Sequence, residues 1–157
     1  MLDNKLISEL REFIEFHLIF KTFNVSEELI LEDMYNGEIV DYIETKRKPS
    51  LQKILFDFID RRGATDPEIY HKAGIDRKLF SKIRSNPGYR PKKNTIIALA
   101  LALELNQEEM DTLLHSAGYT LSDSETFDLI IQFCIEKKIY NIHDVNEALD
   151  HYDLKLL

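Results

Sequence analysis

The sequence predicts an all-α protein. Three observations carry that expectation. Apolar residues recur three or four positions apart along almost the whole chain, the repeat of one helix face. No segment alternates apolar and polar residues strictly, as a half-buried strand would. The 5 glycines and 4 prolines punctuate the periodic runs, where they start or stop helices.

Taken in order, the first run extends from Asn4 to about Phe20 behind Asp3, a suitable N-cap. It places Leu6, Leu10, Phe13, Ile14 and His17 on one face. Ser26, followed by Glu27 and Glu28, starts a second helix, with acids where the helix dipole favours them. Asn36-Gly37 is expected to break that helix, leaving a short third one from Glu38 to about Thr45. Lys46-Arg47-Lys48-Pro49-Ser50 is a charged linker stopped by proline and marks a boundary. Ser50 then caps a helix with Leu51, Ile54, Leu55, Phe58 and Ile59 inward, closed by Arg61-Arg62-Gly63. Thr65-Asp66-Pro67 opens the next, with proline in the first turn where its missing N–H does no harm. Ile69 and Ala73 face inward and Gly74 ends it. Asp76 caps a helix from Arg77 to about Ser85, and residues 86–91 form a loop. Asn94 or Thr95 caps the apolar helix that runs to Leu105, and Asn106 caps another that ends at Ala117-Gly118. Two more helices follow, about Glu125 to Lys137 and Ile142 to about His151. Three regions result: 1–48, an N-terminal helical region; 50–120, the central domain; 121–157, a two-helix extension.

Composition narrows the function classes. With 44% hydrophobic residues the chain can bury a core. Its longest apolar stretch, Ile96 to Leu103, is too short to span a bilayer. The N-terminal MLDNKLISEL has an acid at its third residue and no apolar run after a basic start, so no secretory signal and a cytoplasmic location are expected. The one cysteine, Cys134, cannot form an intramolecular disulfide and sits between Phe133 and Ile135, as a buried core thiol would. The histidines (His17, His71, His115, His143, His151) show no metal-ligand spacing, no glycine-rich phosphate loop exists, and no carboxylate pair is marked as catalytic. No cofactor and no enzymatic activity are expected.

Charge is segregated. The chain totals −8, yet residues 51–120 hold 11 Lys/Arg against 9 Asp/Glu, whereas residues 1–50 hold 6 against 11 and residues 121–157 hold 3 against 8. Between Lys72 and Lys93 stand eight basic residues and one acid, Asp76. A basic island in an acidic chain is a local electrostatic footprint. With Phe80 and Ile83 inward, the helix from Arg77 exposes Arg77, Lys78, Ser81, Lys82 and Arg84. Such a face suits nucleic acid first; solvent or an acidic protein surface is the alternative.

The run DPEIYHKAGIDRKLFSKIRSNPGYRPKKNTIIALALALELNQEEMDTLLHSAGY resembles the Xre/λ-repressor-like helix-turn-helix family. Gly74 stands at the turn, Ile69, Ala73, Ile75, Phe80 and Ile83 fill the five positions the family keeps apolar, and Pro91 matches a proline in the following loop. The likeness covers residues 50–120. It implies a five-helix λ-repressor-like helix-turn-helix domain with extra N-terminal and C-terminal helices. The second helix of the pair would enter the major groove of double-stranded DNA. Arg77, Lys78, Ser81 and Lys82 would then meet base edges, with phosphate contacts from Lys72, Arg84, Arg90, Lys92 and Lys93. The implied role is transcriptional regulation in a bacterial or phage setting; a protein-interaction adaptor or antitoxin-like subunit on the same fold is the other reading. Two positions depart from the family. Tyr70 stands where a small residue is usual and Ala73 where leucine is common, an exchange that roughly conserves volume. Arg84 replaces a common glutamate, which should remove an internal ion pair and add to the basic face.

The N-terminal helix is more apolar than one short helix needs: Phe16, Leu18, Phe20 and Phe23 stand beside the face already named. Either it docks on the central domain, or it forms a homodimer or partner surface. The apolar tail Leu154 to Leu157 packs back or binds a partner.

Overall fold

The structure, a computed structural model, describes the backbone of residues 3–20 and 25–157, and the side chains of these except 17–20, 25–31 and 33. His17, Leu18, Phe20, Phe23 and the start at Ser26 with Glu27 and Glu28, all singled out above, have side chains outside the described residues. Among the described residues there are nine α-helices and no strand. They are α1 (Asn4–Phe20), α2 (Val25–Lys46), α3 (Leu51–Arg62), α4 (Asp66–Ala73), α5 (Arg77–Ser85), α6 (Lys93–Ala102), α7 (Gln107–Ser116), α8 (Thr126–Glu136) and α9 (Ile142–His151). No helix among them is long and apolar enough to cross a membrane. The chain divides into two compact units, Met1–Arg47 and Lys48–Leu157.

In the first unit, Asp3 caps α1 by accepting a bond from Leu6 N at 2.8 Å. The expected break at Asn36-Gly37 does not occur: α2 runs unbroken from Val25 to Lys46. One glycine inside a helix costs only about 1 kcal/mol relative to alanine, and the helix continues for more than two turns beyond it. The ring of Phe13 on α1 meets that of Tyr35 on α2 at 4.2 Å.

The second unit is organised around α6. Ile96 to Ala102 are all buried, and Leu103 and Leu105 beyond them are buried too. A helix apolar on every side has to be central, and α4, α7 and α9 all pack on it. The rest of the core comes from one stripe per neighbour: Leu55 and Ile59 on α3, Ile69 and Ala73 on α4, Phe80 and Ile83 on α5, Met110, Leu113 and Leu114 on α7. Each such Leu or Ile, fully buried, contributes about 1.5–3 kcal/mol. Ile131, Cys134 and Ile135 of α8 and Val145 and Leu149 of α9 belong to the same core, so the C-terminal helices are integral to this unit. Cys134 is the buried thiol its neighbours suggested, and burial raises its pKa. Tyr70 lies against the core with its ring 5.5 Å from that of Phe80, beside the small Ala73.

Most helix ends follow local chemistry. Ser50 accepts from Lys53 N, Thr65 from Glu68 N and Asp76 from Leu79 N. Asn106 and Glu109 exchange side-chain-to-backbone bonds in a capping box. Gly74 closes α4 at φ 68, with Gly74 N bonding His71 O and Ile75 N bonding Tyr70 O, the paired bonds of a Schellman ending. The start of α6 differs from expectation. Lys92, not Asn94 or Thr95, holds the N-cap position, and no side chain caps it. Tertiary contacts fix this start instead. Tyr119 Oη donates to Pro91 O at 3.0 Å, and Lys93 Nζ meets Asp128.

Candidate nucleic-acid interface

The helix α5 presents two unlike sides. Phe80 and Ile83 are 2% exposed, whereas Arg77, Lys78, Ser81, Lys82 and Arg84 face solvent. Asp76 caps the helix, but its first turn contains no acid and begins with Arg77-Lys78. Cations there oppose the helix dipole at a cost of about 0.3–1 kcal/mol each, so folding alone gives no reason for them.

The nine residues singled out from the sequence separate into two groups. Arg77, Lys78, Ser81 and Lys82 share the outer side of α5, exposed; the Lys82 ammonium lies 4.5 Å above the ring of Tyr89. Lys72, on α4, and Lys92, before α6, are exposed, and among the described residues neither charged group has an ion-pair partner. The other three are held by the fold. Arg84 Nη2 pairs with Asp66 Oδ2 at 2.7 Å, its guanidinium stacks 4.1 Å from the Phe56 ring centre, and its carbonyl accepts from Gln52 Nε2. The ion pair expected to be missing at this position is therefore present, with Arg84 as its cation and Asp66 on α4 as its anion. Arg90 Nε donates to Ala117 O at 2.6 Å, and its guanidinium lies 4.2 Å above the Tyr119 ring. Lys93 Nζ donates to both carboxylate oxygens of Asp128, at 3.0 and 2.8 Å.

Asp128 was not singled out from the sequence, yet it is the one buried charged side chain among the described residues, at 2% exposure. Besides Lys93 it accepts from Ser122 N at 2.7 Å. A buried carboxylate has to be paired and fully hydrogen-bonded, and three hydrogen bonds from two donors, Lys93 Nζ and Ser122 N, achieve this. The cluster joins the start of α8 to the start of α6 and holds the loop that carries Arg90 and Lys92. A weak signal existed in the sequence: Asp128 is followed by the apolar run Leu129-Ile130-Ile131.

Among the described residues no group of His, Cys, Asp and Glu could hold a metal ion. No protein-family model, curated protein or solved structure matches the chain.

Proposed function

We propose that the second unit binds double-stranded DNA through α5, as a helix-turn-helix regulator of λ-repressor-like arrangement built from α3 to α7. The single observation that carries this reading is the solvent face of α5, where Arg77 and Lys78, without an ion-pair partner among the described residues, open the helix against its dipole. In a major groove, Arg77 and Lys78 suit guanine edges, Ser81 accepts either base partner, and Lys82 extends the row. Lys72, Arg90 and Lys92 lie beside that row in sequence and supply phosphate contacts. Arg84 and Lys93, bound to Asp66 and Asp128, serve this reading by fixing the helix and the loop.

Each neutralised phosphate releases condensed counterions, so affinity falls with salt by about 0.9 log units per log unit for each contact. Three or four contacts, from Lys72, Arg90 and Lys92 with or without Lys82, give a slope of roughly −3 to −4. The test is a fluorescence anisotropy titration against mixed-sequence duplex over a range of salt. Lys92→Ala should flatten the slope by about one unit on every sequence; Arg77→Ala should cost about 1–3 kcal/mol on a preferred site and relax discrimination there. Absence of binding at low ionic strength with tens of micromolar protein would end this reading.

A second reading, a protein-interaction adaptor or antitoxin-like subunit, is favoured by one observation: two of the eight island cations are neutralised internally in a chain that carries −8 overall. It expects no duplex binding, and loss of a protein partner when Arg77 and Lys78 are neutralised.

A further inference from the structure

The first unit has a deficit that the second lacks. None of its described side chains is buried; Phe13 and Tyr35 come nearest, half-buried against each other. On α1, Leu6, Leu10 and Ile14 are 46–48% exposed, and on α2, Ile39 and Ile43 are 43–44% exposed and Tyr42 67%. The spacing is four residues along each helix, so each helix carries one continuous apolar stripe. Two helices whose described side chains include none that is buried are marginal in water, because most helical stability comes from packing an apolar face. A unit of 47 residues lies close to the size, about 40, below which a partner, metal or disulfide is usually needed, and Met1–Arg47 contains no cysteine.

We propose that these stripes are covered by the same stripes of a second copy, so that two α1–α2 pairs make a four-helix bundle and the protein is a homodimer through its first unit. The area fits. A large side chain offers roughly 200 Å², so half-exposed residues leave about 100 Å² each, and the six stripe residues together offer roughly 600 Å² per partner, the lower end of what a specific interface buries. A self-complementary patch closes a two-fold dimer without leaving a further sticky edge. Parallel or antiparallel helix stripes at this spacing are the usual material of bundle cores.

Charge supplies a signature that separates this occupant from others. Residues 1–47 carry 5 Lys/Arg and 11 Asp/Glu, so two copies repel one another. Salt screens that repulsion over about 8–10 Å, so dimerisation should tighten as salt rises. Docking on a basic surface, whether another protein or the island around residues 72–93, should weaken with salt instead. The dimer inference does not depend on DNA binding.

The test is sedimentation equilibrium of the full chain, without nucleic acid, at about 50 mM and about 500 mM salt, a span over which the Debye length falls more than twofold. The expected result is a reversible dimer that tightens several-fold at the higher salt. Leu10→Glu and, separately, Ile43→Ser should each weaken it, the first by on the order of 100-fold or more because it buries a charge without a partner. Cys134, buried in the other unit, should stay unreactive to a maleimide in both variants, which shows that the second unit remains folded. A monomer at 200 µM in both salts, association that weakens with salt, or a dimer indifferent to both substitutions would overturn the inference. A dimer that binds no duplex would leave it standing and remove the DNA reading; a monomer that binds duplex would do the reverse.

Discussion

Removing the carboxylate of Asp128 should destabilise the second unit more than removing any exposed charge. The side chain is buried, and Asp128→Ala deletes the acceptor for Lys93 Nζ and for Ser122 N at once. Breaking a buried pair by taking one partner costs about 3–5 kcal/mol, because the other charge is left uncompensated. Lys93 keeps 29% of its side-chain surface exposed, so its ammonium can recover part of its hydration and the loss should be about 2–4 kcal/mol. For a unit of this size roughly 4 °C of Tm corresponds to 1 kcal/mol, which predicts a drop of about 8–16 °C. Asp128→Asn keeps one acceptor oxygen for Ser122 N and Lys93 Nζ but leaves the ammonium uncompensated, so it should recover only part of the loss. In the double variant Asp128→Leu with Lys93→Met no unpaired charge remains, and its loss should be clearly smaller than the sum of the single losses. Urea and thermal melts of the full chain, of Asp128→Leu, of Lys93→Met and of the double variant measure all four corners. An Asp128→Ala protein within about 0.5 kcal/mol of the parent, the range of ordinary surface changes, would show that the cluster does not join α8 to α6.

Gly74 sits at φ 68, and a Cβ built there would meet nothing within 4 Å, so a substitution is penalised by backbone strain alone. Gly74→Val should lose about 1–3 kcal/mol in a urea melt while Gly74→Asn, which tolerates that conformation, loses much less; equal losses would point to crowding instead. A fragment of residues 48–157 contains every buried residue of the second unit and should melt cooperatively by circular dichroism; a fragment that binds ANS and melts without cooperativity would mean the first unit completes its core. Cys134 is 1% exposed and its pKa is raised by burial, so both access and the scarcity of thiolate slow it. Its alkylation at neutral pH should follow the unfolding curve in urea, and fast reaction in the absence of denaturant would refute the burial.

What the sequence makes legible here is local. Ser50, Thr65, Asp76, Asn106 and Gly74 announce helix ends because a cap needs only a side chain and a backbone group three or so residues apart. The apolar faces of α3 to α7 are readable for the same reason: the helix repeat is written in neighbouring residues. The failures are also of one kind. Asn36-Gly37 carries turn chemistry, but nothing obliges a turn there, and the helix on either side carries it through. Asn94 and Thr95 are good caps in a place where Tyr119 and Asp128, far along the chain, set where α6 begins. Of the candidate interface, the exposed side of α5 was legible because Phe80 and Ile83 fix which side faces inward. That Arg84 and Lys93 are bound internally was not, since their partners are 18 and 35 positions away, and a row of cations looks the same whether free or paired.

That division among the cations has a physical consequence for any polyanion meeting this surface. Lys72, Arg90 and Lys92 have no ion-pair partner among the described residues, so each can exchange counterions for phosphate and contributes to the salt slope. Arg84 and Lys93 are already neutralised by Asp66 and Asp128. Their value lies in order: they hold the ends of the loop 86–92 and the start of α6, so that free cations on either side are presented with less entropy to lose on binding. The two groups should therefore fail differently. Neutralising a free cation lowers affinity and flattens the salt slope while the melt is unchanged. Removing Asp128 or Asp66 lowers affinity through lost geometry, shifts the melt, and leaves the slope as steep as before or steeper, because it frees a charge as it loosens the frame.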